Sequence, residues 1–462
     1  MRRTHLAAGE LILETIEYSV VLVQPDSRRV LAFDAVGGYR LLRVRIPENR
    51  RRAEQLRKAV KNACGLHVLI LDLIPAGDGS PPCAVAEVLV PDRNRELEEI
   101  RLEQVSSSEL SEPQRAHVAS LLSGDTDSPF TQIGWIEEAI QWIESVTDGK
   151  LSSKSGIEQY NVGGSFSLVR FQMDDDRYYW LKATGASNAH ELAVTSLLSK
   201  LGEDYLPEMI SSRPAWNAWL MSGEASGVTE LPSDCFELFR LLEDAVESMA
   251  HLQMKTEGHG LDLLHAGAFD QSTEVFQAHS EALFDYLEEA MSLQTSTKAA
   301  RLEKRRLQEI RAIFGHVCRR IEELDLPETI VHGDLNDGNL LTGLGHCQFI
   351  DWCEAYVGNP IISLQHLLLL NRVESAEIRA FINRVLKARY KDVWTAMCDP
   401  EDLEEGLVYM PILAAASALY GRGDWLTTSQ RDQTHRQAHA RCLARHMDRA
   451  ARVPELLLAL RS

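Results

Sequence analysis

The sequence predicts an α+β protein made of a small α+β domain, a β-rich lobe and a large helical lobe. Strand-like apolar runs occur before Ser233, whereas the pattern after it is almost wholly helical. A segment rich in Ser, Asp and Gly, Ser123 to Pro129, separates the first strand-rich region from the second. Strands that come first and helices that come later favour a two-lobed α+β unit over a repeating βαβ sheet.

The bulk composition indicates a globular protein without a nucleic-acid or membrane partner. The 462 residues include 48 basic and 68 acidic side chains, which give a formal charge of -20. Surfaces that bind nucleic acid or anionic lipid must attract phosphate, so this charge argues against both. The N-terminus has no apolar stretch of signal-peptide length, and the most apolar run, Ile361 to Leu370, is too short to span a bilayer. We therefore expect a cytoplasmic protein.

Residues 1–124 are predicted to form the small α+β domain. Val20 to Val23 and Arg29 to Phe33 are strand-like runs, and Leu66 to Ile74 is another. Between them, apolar residues at helical spacing predict a helix from Ala53 to Cys64, which should end at Gly65 because glycine commonly terminates helices.

Residues 125–150 are predicted to connect this domain to the next one. Their first part is a linker rich in turn-forming residues. The apolar residues that follow recur at helical spacing and predict an amphipathic helix that docks the linker onto the following lobe. These residues are Trp135, Ile136, Ala139, Ile140, Trp142 and Ile143.

Residues 151–228 are predicted to form the β-rich lobe, and residues 229–462 the helical lobe. Ile157 to Lys182 has the pattern of consecutive antiparallel strands joined by a Gly-Gly-Ser turn and a charged turn. A helix is expected from His190 to Leu201. Two short motif segments, 330–341 and 347–352, interrupt the helices of the second lobe.

The most informative motif is an acid, an amide and a second acid. Asp334 is followed five positions later by Asn339, and Asp351 ends the short apolar run Phe349-Ile350. Phosphoryl transfer from a magnesium nucleotide requires such an arrangement. Apolar residues on both sides pin the polar loop between buried strands, so the three oxygen-bearing side chains are expected to converge, and Mg²⁺ prefers oxygen ligands.

Phosphoryl transfer also requires a cation that binds the nucleotide phosphates. Lys182 ends a predicted strand, and Glu191 lies nine residues later in the next helix, a spacing that allows an ion pair. The turn 163–165 lacks bulky side chains, so its backbone N–H groups can approach phosphate oxygens. A strand-end lysine or a Gly-Gly turn alone is common. In this order along the chain they indicate one nucleotide site.

Together these elements resemble the aminoglycoside phosphotransferase and choline kinase-like group, which is built on the protein-kinase fold. The similarity covers roughly residues 150–450. The resemblance implies that Asp334 accepts or orients the proton of the attacking hydroxyl group, while Asn339 and Asp351 hold Mg²⁺. Lys182 would then bind the α- and β-phosphates of ATP, with Glu191 orienting it.

Two further segments have roles by the same resemblance. The turn formed by Gly163, Gly164 and Ser165 would contact the phosphates, and Leu220, Met221 and Ser222 would line the adenine pocket. The implied activity is an ATP- and Mg²⁺-dependent transfer of the γ-phosphate to a hydroxyl group of a small molecule, of the aminoglycoside, amino alcohol or natural-product type.

Two other functions compete with this one. A catalytically inactive nucleotide-binding scaffold is the first, although a scaffold has no physical need for magnesium ligands and a Lys/Glu pair. A kinase that phosphorylates proteins is the second. It is disfavoured because the segment between Asp351 and Pro360 is too short for a phosphorylatable activation loop.

Several side chains beside the motif have alternative interpretations. His332 is expected to support the loop by hydrogen bonding rather than to act in the chemistry, and Trp352 is expected to pack. The acidic residues Glu224, Glu230 and Glu354 would suit a cationic acceptor, but a solvated acidic face explains them nearly as well.

The N-terminal domain resembles a degenerate Nudix domain. Lys58 to Leu66 falls where the Nudix motif would lie, and its apolar and glycine positions fit. Ala59, Asn62 and Ala63 replace the metal-binding glutamates, so no pyrophosphohydrolase activity is expected. This domain also contains a basic run in an otherwise acidic chain. The run could bind a phosphorylated ligand or an acidic partner, or it could be a solvated surface. Its residues are Arg40, Arg43, Arg45, Arg50, Arg51, Arg52, Arg57, Lys58 and Lys61.

Overall fold

The computed structural model describes residues 15–460, apart from 37, 49–50, 78–79, 91–95, 127, 163–165, 224–225, 228–230, 325, 344, 424–425 and 427–432. The chain divides into two compact units. The first unit comprises Met1–Leu192 and Met209–Glu224, and the second comprises Ala193–Glu208 and Ala225–Ser462.

A seven-stranded mixed sheet and two helices build the N-terminal part of the first unit. The sheet has the strand order β3-β2-β1-β6-β5, with β4 also paired to β1 and β7 to β2. β1 runs parallel to β6 and antiparallel to its other partners. The elements are β1 (Thr15–Val23), β2 (Val30–Ala35), β3 (Gly38–Arg40), β4 (Leu42–Pro47), α1 (Arg52–Cys64), β5 (His67–Ile74), β6 (Cys83–Val90), β7 (Leu97–Ile100) and α2 (Glu112–Ser123).

Side chains alternate between the two faces of this sheet, as the pleat of a strand requires. Val20 and Leu22 of β1 lie in a core with α1, whereas Val21 and Val23 lie in a second core on the opposite face. The predicted helix is confirmed as α1, and it ends at Gly65, which has a positive φ of 78°.

A five-stranded antiparallel sheet completes the first unit. Its strand order is β11-β12-β10-β9-β8. The elements are α3 (Trp135–Thr147), β8 (Glu158–Asn161), β9 (Phe166–Gln172), β10 (Tyr178–Thr184), α4 (Glu191–Leu201), β11 (Met209–Arg213) and β12 (Ala218–Ser222). The first two residues of α4 belong to this unit.

One continuous hydrophobic core joins the N-terminal sheet to the five-stranded sheet. It contains Val21 of β1, Ile136 and Ile140 of α3, Val169 of β9 and Leu220 of β12. The helix predicted after the linker is present as α3, and most of its apolar face lies inside this core, with Trp142 partly buried at its edge. The residues on both sides of the segment 125–150 lie in the same compact unit and share this core. The domain bounds at 124 and 150 stay a prediction.

Gln159 adds a polar link inside this unit. Its side chain is 1% exposed. Its amide oxygen accepts a hydrogen bond from the Ile70 N–H at 2.8 Å, and its amide nitrogen donates to the Ile70 carbonyl at 2.7 Å. β5 is an edge strand of the N-terminal sheet, so Gln159 satisfies backbone groups that would otherwise be buried without partners.

The second unit is mainly helical, which confirms the predicted α+β class with strands first and helices later. Its helices are α5 (Cys235–Thr256), α6 (Gly260–Ala266), α7 (Thr273–Ser292), α8 (Lys304–Glu323), α9 (Ile361–Leu369), α10 (Ala376–Trp394), α11 (Pro400–Tyr420), α12 (Thr434–Ala450) and α13 (Pro454–Ala459). Among the residues described, no helix is both long and apolar enough to cross a membrane.

Two small three-stranded sheets in the second unit carry the motif segments. Their strand orders are β13-β16-β17 and β14-β18-β15. The strands are β13 (Ser226–Gly227), β14 (Phe269–Gln271), β15 (Thr329–Val331), β16 (Leu340–Thr342), β17 (Gln348–Phe349) and β18 (Tyr356–Gly358). The loop with Asp334 connects β15 to β16, and Asp351 follows β17, so each motif acid lies where a short buried strand ends.

Replacement of Gln159 with alanine should destabilise the first unit. The Ile70 N–H and carbonyl would both lose their partners in a buried place, and we expect the free energy of unfolding to fall by about 2–4 kcal/mol. Urea unfolding measures this change. Gln172→Ala is the control, because the Gln172 side chain is half-buried and has no hydrogen bond to the residues described. Equal effects of the two substitutions would contradict the proposed link.

Candidate active site

Lys182 and Glu191 form a buried ion pair in the first unit. Lys182 lies on β10 and is 5% exposed, while Glu191 at the start of α4 is fully buried. The Lys182 Nζ and Glu191 Oε1 atoms are 2.5 Å apart. A charge taken this far out of water is tolerated only with a close partner. The pair predicted from the spacing of nine residues is therefore present.

The two faces of β12 separate the residues expected to line the adenine pocket. Trp219 and Met221 share one face with Leu192, and Lys182 pairs in register with Trp219 on this side. The Leu220 side chain points to the opposite face and is fully buried in the core shared with the N-terminal sheet. Any contact of Leu220 with a ligand on the Lys182 side is therefore a backbone contact, and the place of Leu220 in the adenine pocket stays a prediction.

The Gly-rich turn lies outside the described residues. Gly163, Gly164 and Ser165 connect β8 to β9, which pair in antiparallel register. The Lys182 ammonium group lies 5.1 Å from the ring centroid of Phe166, the first residue of β9 after the turn. The contact of the turn with phosphates stays a prediction.

The loop with Asp334 is shaped by its own amide side chains. Asn339 is 7% exposed and its amide nitrogen donates to the Asp334 backbone carbonyl at 2.8 Å. Asn336 donates to the same carbonyl at 3.1 Å and accepts from the Gly338 N–H at 2.9 Å. Because the nitrogen of Asn339 is used inside the loop, its amide oxygen is the atom left for a metal ion.

Gly333 is required by a close approach of two backbone segments. Its φ is +78°, and a Cβ atom placed there would lie 2.0 Å from the backbone oxygen of Glu354. Any side chain would force the segments apart, so the residue before Asp334 must be glycine. The close approach also fixes Asp334 next to the segment that follows Asp351.

His332 and Trp352 support the site from inside, as expected. His332 is fully buried, and its Nε2 atom donates to the Ile350 carbonyl at 2.8 Å. The Trp352 ring is 1% exposed and lies 4.5 Å from the imidazole, centroid to centroid. This hydrogen bond connects Ile350, which precedes Asp351, to the start of the loop that carries Asp334.

Asp351 has a backbone conformation that non-glycine residues rarely adopt. Its φ and ψ are 70° and 65°, in the left-handed region. Such a conformation costs roughly 1–3 kcal/mol and is concentrated at functional sites. An acid held this way at the end of β17 is suited to present its carboxylate to a cation.

The carboxyl group of Asp334 is harder to ionise than that of an ordinary aspartate. Surrounding protein removes part of its hydration, and the charges of Asp351 and Glu354 add to the effect, so the pKa of Asp334 is raised. Asn336 acts in the opposite direction by hydrogen bonding. The side chain remains open to solvent. A raised pKa suits a group that accepts a proton during the reaction.

Gln253 is a supporting residue whose role the sequence did not reveal. It is fully buried in α5, and its amide nitrogen donates to the carbonyls of Ile330 and Pro360, both at 3.1 Å. The Thr256 hydroxyl accepts from the Ile330 N–H at 3.3 Å. The signal available was a glutamine and a threonine on an otherwise apolar helix face.

Glu354 forms an ion pair that also was not foreseen. Its carboxylate accepts from the Arg422 Nε atom at 3.0 Å and from Nη2 at 2.7 Å. An arginine that binds both carboxylate oxygens balances the negative charge of Glu354. The suggestion that Glu354 recognises a cationic acceptor is therefore weakened, and Glu224 and Glu230 lie outside the described residues.

A family comparison bears directly on these residues. The model of the phosphotransferase enzyme family matches residues 168–399, half of the chain. The chain belongs to this phosphotransferase family. The matched span includes both members of the Lys182–Glu191 pair and the acids and amide of the helical unit, so the resemblance predicted from the motifs is confirmed. The protein-kinase-like α+β fold expected for the β-rich and helical regions is confirmed with it.

Solved structures similar to this phosphotransferase come from several organisms. The macrolide 2'-phosphotransferase MphH of Brachybacterium faecium is 16% identical, with 66% of this chain and 97% of that chain covered and a TM-score of 0.41. The Plasmodium vivax ethanolamine kinase is 12% identical, with 72% and 95% covered and a TM-score of 0.43. The choline kinase LicA of Streptococcus pneumoniae is 13% identical, with 68% and 98% covered and a TM-score of 0.40. No curated protein matches the sequence.

Removal of one partner of the buried ion pair should destabilise this phosphotransferase strongly. Lys182→Met leaves the Glu191 charge buried without its cation, and we expect a loss of about 3–5 kcal/mol in the free energy of unfolding. The double variant Lys182→Met with Glu191→Leu should recover most of this loss, because no buried charge remains.

Chemical unfolding compares these variants with Lys150→Met, the matched control. Lys150 pairs with Glu144 at 2.9 Å, and its side chain is 73% exposed. Exposed pairs contribute about 0–1 kcal/mol, so the control should be nearly neutral. A double variant as unstable as Lys182→Met would show that the partner charge is not the cause.

The pKa of Asp334 should depend on Glu354. In the metal-free protein we expect the pKa of Asp334 above the ordinary value for aspartate, measured by carbon NMR of its carboxyl group. Glu354→Gln should lower this pKa, because it removes a negative neighbour and leaves Arg422 without its carboxylate. Asp337→Asn, in the same loop, should leave it unchanged, since Asp337 does not contribute to the raised pKa. An unchanged value in Glu354→Gln would contradict this account.

Proposed function

We propose that the protein transfers the γ-phosphate of ATP, in the presence of Mg²⁺, to a hydroxyl group of a small molecule. The observation that carries the proposal is the loop in which the Asn339 side chain donates to the Asp334 backbone carbonyl, together with the pKa of Asp334, which is raised by burial and then by the charges of Asp351 and Glu354. A proton acceptor and two oxygen donors are the groups that the reaction requires, and Asp334, Asn339 and Asp351 would supply them.

The oxygen donors of the second unit fit a magnesium ion. Asn339 has its amide oxygen available, and the strained backbone of Asp351 presents a carboxylate. Mg²⁺ is commonly bound by one or two protein oxygens, with phosphates and water as the other ligands. When bound, the ion would neutralise negative charge on the phosphates. We assign Asn339 and Asp351 as its protein ligands.

Lys182 is assigned to the α- and β-phosphates of ATP. The ion pair with Glu191 holds its ammonium group in one place, so little reorganisation is needed when a phosphate is bound. The backbone of 220–222 is assigned to the adenine, with the Met221 side chain on the Lys182 face of β12. The turn 163–165 is assigned to the phosphates.

The proposed reaction is a direct in-line transfer. A bond forms between the acceptor oxygen and the γ-phosphorus, the bond from that phosphorus to the bridging oxygen of ADP breaks, and the Asp334 carboxylate takes the hydroxyl proton. His332, Trp352 and Gln253 do not touch the reacting atoms in this scheme. They fix the backbone on which Asp334 and Asp351 lie.

The acceptor is proposed to be of the aminoglycoside, amino alcohol or natural-product type. A cationic acceptor was suggested by acidic residues near the motif, but the charge of Glu354 is balanced by Arg422. Neutral and acidic hydroxyl compounds therefore belong in an acceptor screen beside amines. ADP release that depends on the added compound is the readout.

Substitutions of the two acids should have different effects in this screen. Asp334→Asn should lower kcat by about 10²–10⁴-fold, since a proton acceptor contributes an acceleration of that order, while the Kd for nucleotide changes little. Asp351→Ala should abolish the Mg²⁺-dependent part of nucleotide binding. Steady-state kinetics and calorimetry measure the two effects.

Asp337→Asn is the matched control, because Asp337 lies in the same loop and has no assigned role. It should keep near-normal turnover. Turnover close to normal in Asp334→Asn or Asp351→Ala at saturating Mg²⁺ and ATP would overturn the proposed function. Nucleotide binding without ADP release for any acceptor would instead favour the inactive scaffold.

A further inference from the structure

A cavity in the first unit lies away from the residues assigned to the reaction. It has a volume of about 380 Å³ and is bounded by α1 and the start of β5 on one side and by the segment around Ser155 and β8 on the other. This volume is within the usual range of small-molecule sites. Every lining residue belongs to the first unit.

The wall formed by α1 is basic. Glu54, Arg57, Lys58 and Lys61 line the cavity, and their spacing of three and four residues places them on one face of the helix. The three residues that replace the Nudix glutamates, Ala59, Asn62 and Ala63, do not line the cavity.

Among the residues that the structure describes, two of the three cations in this wall have no carboxylate partner. Lys58 pairs with Glu54 at 2.5 Å, and the acid on the opposite wall, Glu158, pairs with Arg170 at 2.6 Å. Within the described residues, no carboxylate oxygen lies within 4.0 Å of Arg57 or Lys61. The cavity therefore has two positive charges that are not balanced by direct ion pairs.

Arg57 is held in place by neutral backbone groups. Its Nε atom donates to the Val68 carbonyl at 2.9 Å, and another guanidinium nitrogen donates to the Ile157 carbonyl. Burial lowers the pKa of Arg57, with Glu158 and Glu54 acting against this effect at longer range. The guanidinium group is thus positioned before any ligand arrives, which reduces the cost of binding.

His67 reports the positive field inside the cavity. Its pKa is lowered, first by burial and then by the charges of Lys61 and Arg57. A neutral imidazole at neutral pH can still donate one hydrogen bond to an anion. Tyr160 contributes a ring to the opposite wall, where its hydroxyl group donates to Glu158 at 2.9 Å.

The opposite wall continues into the hairpin that contains the Gly-rich turn. β8 contributes Glu158, Gln159 and Tyr160 to the cavity and pairs with β9, and the turn 163–165 joins these two strands. Gln159 and Arg57 also connect β8 and the residue before it to β5. A ligand that contacts both walls would therefore restrict movement of β8 relative to the N-terminal sheet.

We propose that this cavity binds a phosphate-bearing small molecule through Arg57, Lys61 and His67, and that the bound molecule increases the affinity of the protein for ATP through the β8–β9 hairpin. The limited volume of about 380 Å³ fits a metabolite better than a protein segment. The binding step stands independently, whereas the effect on ATP rests on the proposed function.

The binding step is tested on the full chain with inorganic phosphate as the probe. Selective carbon labelling of histidine and titration by NMR give the pKa of His67, with His67→Asn used to assign the signal. Saturating phosphate at constant ionic strength should raise the pKa of His67 by about 0.5–1 unit, because a nearby anion favours the imidazolium. An unchanged pKa in the presence of phosphate would overturn the site.

Lys61→Gln is the decisive variant, because Lys61 is exposed and its replacement should not affect folding. We expect the Kd for phosphate at His67 to rise at least ~5-fold, in keeping with loss of a charge-assisted contact. Lys298→Gln, at an exposed lysine of the second unit without a carboxylate partner among the described residues, should leave this Kd unchanged. Equal affinities of Lys61→Gln and the unaltered protein would also overturn the site.

The second step is tested by the KM for ATP with and without phosphate. Phosphate should lower this KM in the unaltered protein, and this lowering should be about 2–5-fold greater than in Lys61→Gln. Such a range is typical of modest coupling between sites. No difference between the two proteins would overturn the coupling. A shifted His67 pKa in a protein that never releases ADP would support the cavity as an anion site and contradict the proposed function.

Discussion

The requirement that buried backbone groups be hydrogen-bonded governs how both units of this protein are built. In each unit, a fully or nearly fully buried glutamine side chain replaces a missing neighbouring strand. Gln159 pairs with both backbone groups of Ile70 at a sheet edge, and Gln253 with Thr256 does the same for Ile330. An amide side chain has the same donor and acceptor as a peptide group, so it can end a sheet without exposing the edge to water. Both glutamines lie close in sequence or space to segments assigned to nucleotide chemistry.

Much of the candidate site was predictable because its signals are local. The spacing from Asp334 to Asn339, the acid after a short apolar run and the nine-residue interval from Lys182 to Glu191 can all be found by inspection of short segments. The structure brings Lys182 and Glu191 together at 2.5 Å and places Asn339 against the backbone of Asp334. The class of the fold followed from the order of strands and helices for the same reason.

The features that were missed depend on contacts between distant segments. Gln159 and Ile70, or Glu354 and Arg422, are far apart in the sequence, and no periodicity reports their pairing. The orientation of the Leu220 side chain was missed for a different reason. Its neighbours on β12 face Lys182, and strict alternation turns its own side chain into the core on the other face of the sheet. The shared core of the first unit was not apparent either, because the sequence does not show that α3 contacts both sheets.

The shared core of the first unit limits how the β-rich lobe can be separated from the N-terminal residues. The family match begins at residue 168, yet the strands that follow bury Val169, Leu181 and Leu220 against residues of the first 150. The segment that matches the family model is therefore smaller than the segment needed to form a closed hydrophobic core. A piece cut at the limit of the family match would expose an apolar sheet face that the N-terminal residues now cover, so the β-rich lobe depends on them to complete its core.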